Sequence, residues 1–170
     1  FSTLLQNRPA LDAHTVLFIG NGPSEWRGWY KGLDLLLHAI ELAASDLVGL
    51  RLSVVGKWDQ DYLQTLFTRF PGSSRLAKFD GLDVILSDVL SPHLANAALY
   101  VHMGRGEAYG ISVLEAMCAG VPTLVSEWTG AREAVEQVDP NLIVPLDPER
   151  AAERIRWYFG LSSDKRQALS

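Results

Sequence analysis

Two glutamates eight positions apart, Glu107 and Glu115, stand in the segment Gly104-Arg-Gly-Glu-Ala-Tyr-Gly-Ile-Ser-Val-Leu-Glu-Ala-Met-Cys-Ala-Gly120. Glu107 falls in a glycine-rich turn, and Glu115 falls in the first turns of the helix that follows. Helical side chains tilt toward the helix N-terminus, so Glu115 leans back toward the turn that carries Glu107. Its neighbours Val113, Leu114, Ala116 and Met117 are apolar, which predicts a largely buried carboxylate. An unpaired buried carboxylate is costly. It is met either by an arginine or lysine, or by hydroxyl donors of a bound sugar or ribose. The open backbone N–H groups at Gly110 and Ile111 form an anion site of the kind that holds a phosphate.

A second candidate is the stretch Gly20-Asn-Gly-Pro-Ser-Glu-Trp-Arg-Gly-Trp-Tyr-Lys-Gly32. It lacks the third glycine of the dinucleotide fingerprint, and the Gly-x4-Gly-Lys-Ser/Thr spacing of a phosphate-binding loop is absent. What it offers is Arg27 and Lys31 beside a helix start, where the dipole favours anions. The stretch therefore reads either as a solvated loop or as an anion contact. Lys57, Trp58 and Asp59 follow another strand and are candidates for lining the same pocket. His102 ends the strand before Glu107 and either touches ligand or is a core histidine. Trp26, Trp29 and Tyr30 form either an exposed patch or a packed loop. Cys118 reads as a small buried hydrophobe. No His, Cys or Asp cluster has metal-ligand spacing.

These residues need a frame. Short apolar runs alternate with longer segments of helical period, which predicts a parallel α/β sheet. Strands are expected at 15–19, 52–55, 76–79, 99–103, 123–125 and 142–144, with a further candidate at 84–86. Helices are expected at 31–45, 59–70, 110–119, 130–138 and 148–159. Helix 110–119 is apolar nearly all round, hence buried. Ser91-Pro92 reads as a helix cap and a first-turn proline. The polar tail after Gly160 is expected to fray. The strands do not alternate in polarity, so both faces are covered, as in a Rossmann-like, doubly wound and mostly parallel sheet with helices on both faces. No repeat or interior linker divides residues 1–170, which read as one domain. Ligands of such sheets bind beyond the carboxyl ends of the strands, where both candidate segments fall.

Composition narrows the classes. Hydrophobic residues make up 48% and charged residues 21%, which excludes disordered, collagen-like and coiled-coil chains. A formal net charge of -5 argues against a nucleic-acid partner. The single cysteine cannot form an internal disulfide. No apolar run approaches a membrane span. The chain opens at Phe1 rather than Met, so it reads as a fragment or a processed product.

The run Glu107-Ala-Tyr-Gly-Ile-Ser-Val-Leu-Glu115-Ala-Met-Cys-Ala-Gly-Val-Pro-Thr-Leu-Val-Ser126 resembles the Glu-x7-Glu signature of the retaining glycosyltransferases of group 1 (family 4). Four further segments agree: Val16 to Gly20 with the Lys31-Gly32 helix start, Leu52 to Gly56, Ser126 to Glu136, and Leu142 to Pro145. The resemblance implies the second, donor-binding domain of a two-domain B-type glycosyltransferase. Such a domain binds a nucleotide-diphosphate sugar and supports retaining, metal-independent transfer of a hexosyl-type sugar to an acceptor hydroxyl. By resemblance, Glu107 contacts the sugar hydroxyls, Glu115 holds the ribose, and the backbone at Tyr109, Gly110 and Ile111 meets sugar and diphosphate. Lys31 neutralises the departing phosphate. Gly22 and Lys57 are further expected donor contacts.

The family's basic residue after the first strand is Asn21 here, for which Arg27 is the candidate substitute. Met103-Gly104 stands where the family has Pro-Ser, and Ala108 replaces a glycine. The resemblance also implies a separate N-terminal acceptor domain, without which this part alone is expected to be inactive. It further implies a cytoplasmic location, with peripheral membrane contact through the other half. No cofactor is expected beyond the substrate. Two other readings stay open: a sugar-nucleotide epimerase-type domain of the same fold, and a non-catalytic nucleotide-binding or structural α/β domain.

Overall fold

A computed structural model describes Ala10, residues 13–82 and residues 87–170. The chain runs β1 (Thr15–Ile19), α1 (Glu25–Lys31), α2 (Leu33–Ala44), β2 (Arg51–Val55), α3 (Gln60–Arg69), α4 (Pro71–Leu76), β3 (Ala77–Asp80) and α5 (Ser87–Ala95). It continues β4 (Leu99–His102), α6 (Ile111–Cys118), β5 (Thr123–Ser126), α7 (Arg132–Val138), β6 (Ile143–Val144), α8 (Pro148–Phe159) and α9 (Ser163–Ala168), with a 3-10 turn over Pro140–Leu142. The strands form one six-stranded sheet in the order β3-β2-β1-β4-β5-β6, and every pairing is parallel. Sequence order reverses between β1 and β4. At that point two neighbouring crossovers leave in opposite directions and open a crevice beyond the strand ends.

Successive side chains of a strand point to opposite faces, and here both faces are apolar. Val16 and Phe18 of β1 enter one core with Leu33, Leu37 and Ile40 of α2, Leu63 of α3 and Ile155 of α8. Leu17 and Ile19 enter the other core with Leu90 and Leu94 of α5, Val113 and Ala116 of α6, and Val135 of α7. Full burial of each of the larger of these side chains, the valines, leucines, isoleucines and Phe18, stabilises the fold by about 1.5–3 kcal/mol. This two-sided covering is why the strands read as unbroken apolar runs.

Several expectations change. The stretch Gly20–Gly32 is not one loop, because its second half is helix α1. Ser24 accepts the Arg27 N–H as its N-cap, and Gly32 closes it at φ 75°. Gly28, which suggests a loop, is buried in that helix, and a Cβ there would lie 2.2 Å from the Tyr62 ring of α3. Helix α5 already begins at Ser87, so Ser91 is not its cap and Pro92 lies inside it, leaving one main-chain bond unmade. Helix α6 buries Val113 and Ala116 but turns Ile111 and Leu114 outward, at 69% and 39% exposure. Cys118, at the end of α6, is exposed rather than core. The tail forms α9, capped by Ser162, with Arg166 buried and donating to the Phe159 carbonyl at 3.3 Å. The strand expected at 84–86 lies outside the described residues.

Candidate functional site

Beyond the carboxyl ends of β1 and β4 lies an open cleft of about 450 Å³, inside the range of small-molecule sites. Arg27, Lys31, Glu107, Tyr109, Gly110, Ile111 and Glu115 all line it. Lys31 is placed by two helices meeting at Gly32, whose positive φ (75°) serves as the C-cap of α1 and the N-cap of α2. A Cβ at Gly32 would lie 1.8 Å from the Met103 carbonyl oxygen. Only glycine lets this junction press against the end of β4.

The turn after β4 is fastened to that junction along its length. The Arg105 N–H donates to the Tyr30 carbonyl at 2.8 Å, and the Tyr30 hydroxyl donates to the Gly106 carbonyl. The Arg105 guanidinium binds both carboxylate oxygens of Asp34 at 2.8 Å and lies 4.5 Å from the centre of the Trp29 ring. From the other side, Ser126 Oγ donates to the Gly104 carbonyl at 2.6 Å and the Gly130 N–H to the Glu107 carbonyl at 2.7 Å. Main-chain geometry around Glu107 is therefore fixed from both flanks.

Lys31 Nζ donates to Glu107 Oε2, so the two residues expected to act on different parts of a ligand are paired with each other. The Gly110 N–H also donates to the Glu107 carboxylate. Partial burial pushes the Glu107 carboxyl up. The Lys31 bond and charge, the nearby His102 and the Gly110 N–H outweigh it and hold the group below the usual range. His102 Nε2 stands 3.8 Å from Glu107 Oε2. Burial first, then the Lys31 charge, lowers the His102 pKa to about 4 against the pull of Glu107, so the ring is neutral at pH 7.

Gly110 starts α6 in the left-handed region (φ 64°) with no side-chain cap, so the first N–H groups of α6 are not taken up by a cap. Ser112 on that turn shares a hydrogen bond of 2.8 Å with the buried Tyr100 hydroxyl, which fixes α6 against β4. Glu115 lines the cleft half-buried, not largely buried as its neighbours suggest. The core stripe of α6 passes through Val113 and Ala116, leaving position 115 on the cleft side.

Gly22 and Lys57 are not brought into the cleft lining. Gly22 is buried in a bridge to Trp58, and a Cβ on it would meet that indole ring at 2.4 Å. Lys57 is exposed, and its main-chain N–H donates to Asn21 Oδ1 at 2.7 Å. Asn21, standing where a basic residue is expected, thus ties the β1 and β2 turns together. Sequence reading missed Asp34, Arg105 and Tyr30 as site supports. Arg105 and Asp34 are 71 positions apart, and no local pattern announces such a pair. Among the described residues, no three His, Cys, Asp or Glu side chains come together as a metal site, and no helix is long and apolar enough to cross a membrane.

Residues 13–159 match the model of the family "Glycosyl transferases group 1". The chain is 27% identical over 146 residues to a phosphatidyl-myo-inositol mannosyltransferase of Mycolicibacterium smegmatis, covering 82% of this chain and 35% of that protein. It thus spans about a third of the length of the curated relatives it matches. Among solved structures, Anabaena HepE in complex with UDP and glucose superposes with a TM-score of 0.73 at 22% identity, over 93% of this chain and 41% of that one. WaaG, a glycosyltransferase involved in lipopolysaccharide biosynthesis, superposes with a TM-score of 0.75 at 22% identity, over 99% and 42% of the two chains. These likenesses agree with the Rossmann-like sheet, and the family match extends over both candidate segments: the chain belongs to the group 1 glycosyltransferases.

Proposed function

We propose that this chain is the donor-binding domain of a retaining glycosyltransferase that moves a hexosyl-type sugar from a nucleotide diphosphate to an acceptor hydroxyl. The observation that carries this reading is the convergence of Lys31, Glu107 and the uncapped α6 start in one cleft at the β1–β4 switch point. The UDP and glucose held by the HepE neighbour support a nucleotide sugar as ligand. The named activity of the mycobacterial relative supports sugar transfer.

In this reading the diphosphate lies at the α6 N-terminus, met by the backbone of Tyr109, Gly110 and Ile111. Lys31 turns from Glu107 toward it, and Arg27 adds a second positive charge at the rim. As the glycosidic bond breaks, negative charge grows on the leaving diphosphate. Removing one preorganised group aimed at such charge typically lowers rate by about 100- to 1000-fold. Glu107 accepts hydrogen bonds from sugar hydroxyls, and Glu115 accepts them from the ribose. No side chain is assigned as a nucleophile, and no metal is invoked, since Lys31 and the helix dipole supply the positive potential. Full activity would need a second, acceptor-binding domain, through which a peripheral contact with the cytoplasmic membrane face would be made.

Calorimetric titration of the chain with UDP, GDP and ADP, with and without EDTA, tests this reading. Binding of one of the three that survives EDTA is the expected result. Binding abolished by EDTA would overturn metal independence, and absence of binding by all three would overturn the donor assignment.

A further inference from the structure

His102 is 1% exposed, yet among the described residues neither of its ring nitrogens has a hydrogen-bond partner. Leaving a buried polar group unmatched carries its full desolvation penalty, so two on one ring call for a role. The ring plane is fixed by stacking on Phe18, with centroids 5.6 Å apart and planes 8° apart, and on Tyr100 at 6.5 Å and 6°. The space at Nε2 is equally defined, since a Cβ on Gly104 would lie 2.7 Å from it. Nε2 stands 3.8 Å from Glu107 Oε2, the oxygen that Lys31 holds. That gap is just beyond hydrogen-bond length.

The charged groups facing the imidazole are Lys31 at the end of α1 and Glu107 in the turn after β4, and the Tyr100 phenol of β4 lies beside it. Lys31 opposes protonation of the ring and Glu107 favours it. A diphosphate entering the cleft competes with Glu107 for Lys31, because charge-assisted bonds to phosphate oxygens are among the strong ones. We propose that His102 is a positioning residue that takes Lys31's place beside Glu107: as Lys31 turns to the diphosphate, His102 takes up one proton from solvent and donates Nε2–H to Oε2. Glu107 then stays ionised and fixed as an acceptor for a hydroxyl. This inference rests on the donor reading of the cleft. Because the bound form holds an extra proton, affinity rises as pH falls from the bound-state toward the free-state pKa of the ring.

The ligand-free test is an NMR pH titration of the His102 ring in the wild type and in Lys31→Met, with His102→Phe to assign the signal while keeping the ring stack. The wild-type ring should titrate near pH 4. Loss of the Lys31 charge should raise that midpoint by about 1–3 pH units, the usual reach of a nearby charge. An unchanged midpoint would overturn the proposal. The second arm titrates UDP-glucose and GDP-mannose, which carry no phosphate ionising near neutrality, at pH 6 in two buffers of different ionisation enthalpy. Wild-type binding should be accompanied by proton uptake, and binding by His102→Phe or by Glu107→Gln should show none. Binding without uptake in the wild type overturns this proposal alone. If neither of these sugar nucleotides binds and UDP, GDP and ADP all fail to bind as well, the donor reading falls and takes the proposal with it; if only ADP binds, the same uptake measurement with ADP-glucose decides the proposal.

Discussion

The two glycine-rich segments at the head of the sheet, Gly20–Gly32 and Gly104–Gly110, have similar composition and different fates. The first closes into a helix because Ser24 and Gly32 supply a cap at each end. The second stays an extended turn because its polar groups are taken by other elements: Tyr30, Asp34, Ser126 and the Gly130 N–H. Glycine content therefore says little about whether a segment is loop. Caps and distant partners decide it. The two segments meet at one junction, Gly32 against Met103 and Lys31 against Glu107, so they line the cleft as one unit.

Breaking the junction at its backbone should have the largest effect. Gly32→Ala forces a side chain onto a positive φ and onto the Met103 carbonyl at 1.8 Å. Strain and overpacking together should destabilise the fold by about 3 kcal/mol or more. Gly81→Ala is the control, since nothing lies within 4 Å of a Cβ there, and it should change stability by less than about 0.5 kcal/mol. Thermal unfolding of both variants measures the difference. Equal losses would show that the junction is not the constraint described.

Cutting only the side-chain link comes next. On the proposed function, Lys31→Ala in a protein that joins this chain to an acceptor-binding domain should lower transfer by about 100-fold. It should also lower stability by about 1–2 kcal/mol, between exposed and buried ion pairs, because Glu107 loses its cation. Turnover within about threefold of wild type would shift the leaving-group role to Arg27.

Glu115→Gln separates a cleft contact from the junction itself, because Glu115 lines the cleft from α6 without belonging to that junction. Loss of a charged acceptor to ribose should weaken nucleotide binding by about 1.5–3 kcal/mol and leave folding intact. The ribose and deoxyribose forms of the nucleotide measure it. If their affinity ratio is the same in variant and wild type, Glu115 does not touch the ribose.

Much of this was legible in the sequence, for reasons that can be named. Strands such as Thr15–Ile19 stand out because both faces are buried, and helices such as Pro148–Phe159 because Asp147 and Pro148 mark their start. Glu107 and Glu115 were readable because eight residues of turn and helix bring them to one cleft. The Lys31–Glu107 pair was not, since the two lie 76 positions apart and meet only through the parallel β1–β4 register. For the same reason the local pattern around Gly22 and Lys57 does not show that the Gly22 N–H donates to the Lys57 carbonyl, that its carbonyl accepts from the Asp59 N–H, and that the Lys57 N–H donates to Asn21. Long-range main-chain partners leave no periodic trace.

The cleft between β1 and β4 is proposed to hold a nucleotide-diphosphate sugar. Backbone amide shifts of the chain, recorded as UDP-glucose or GDP-mannose is added, test it most directly. The largest changes should fall at Lys31, Glu107, Gly110, Ile111 and Ser112, with Lys57 and the far end at Leu169 little moved. Changes centred on Trp58 and Lys57, with Gly110 and Ile111 silent, would contradict it.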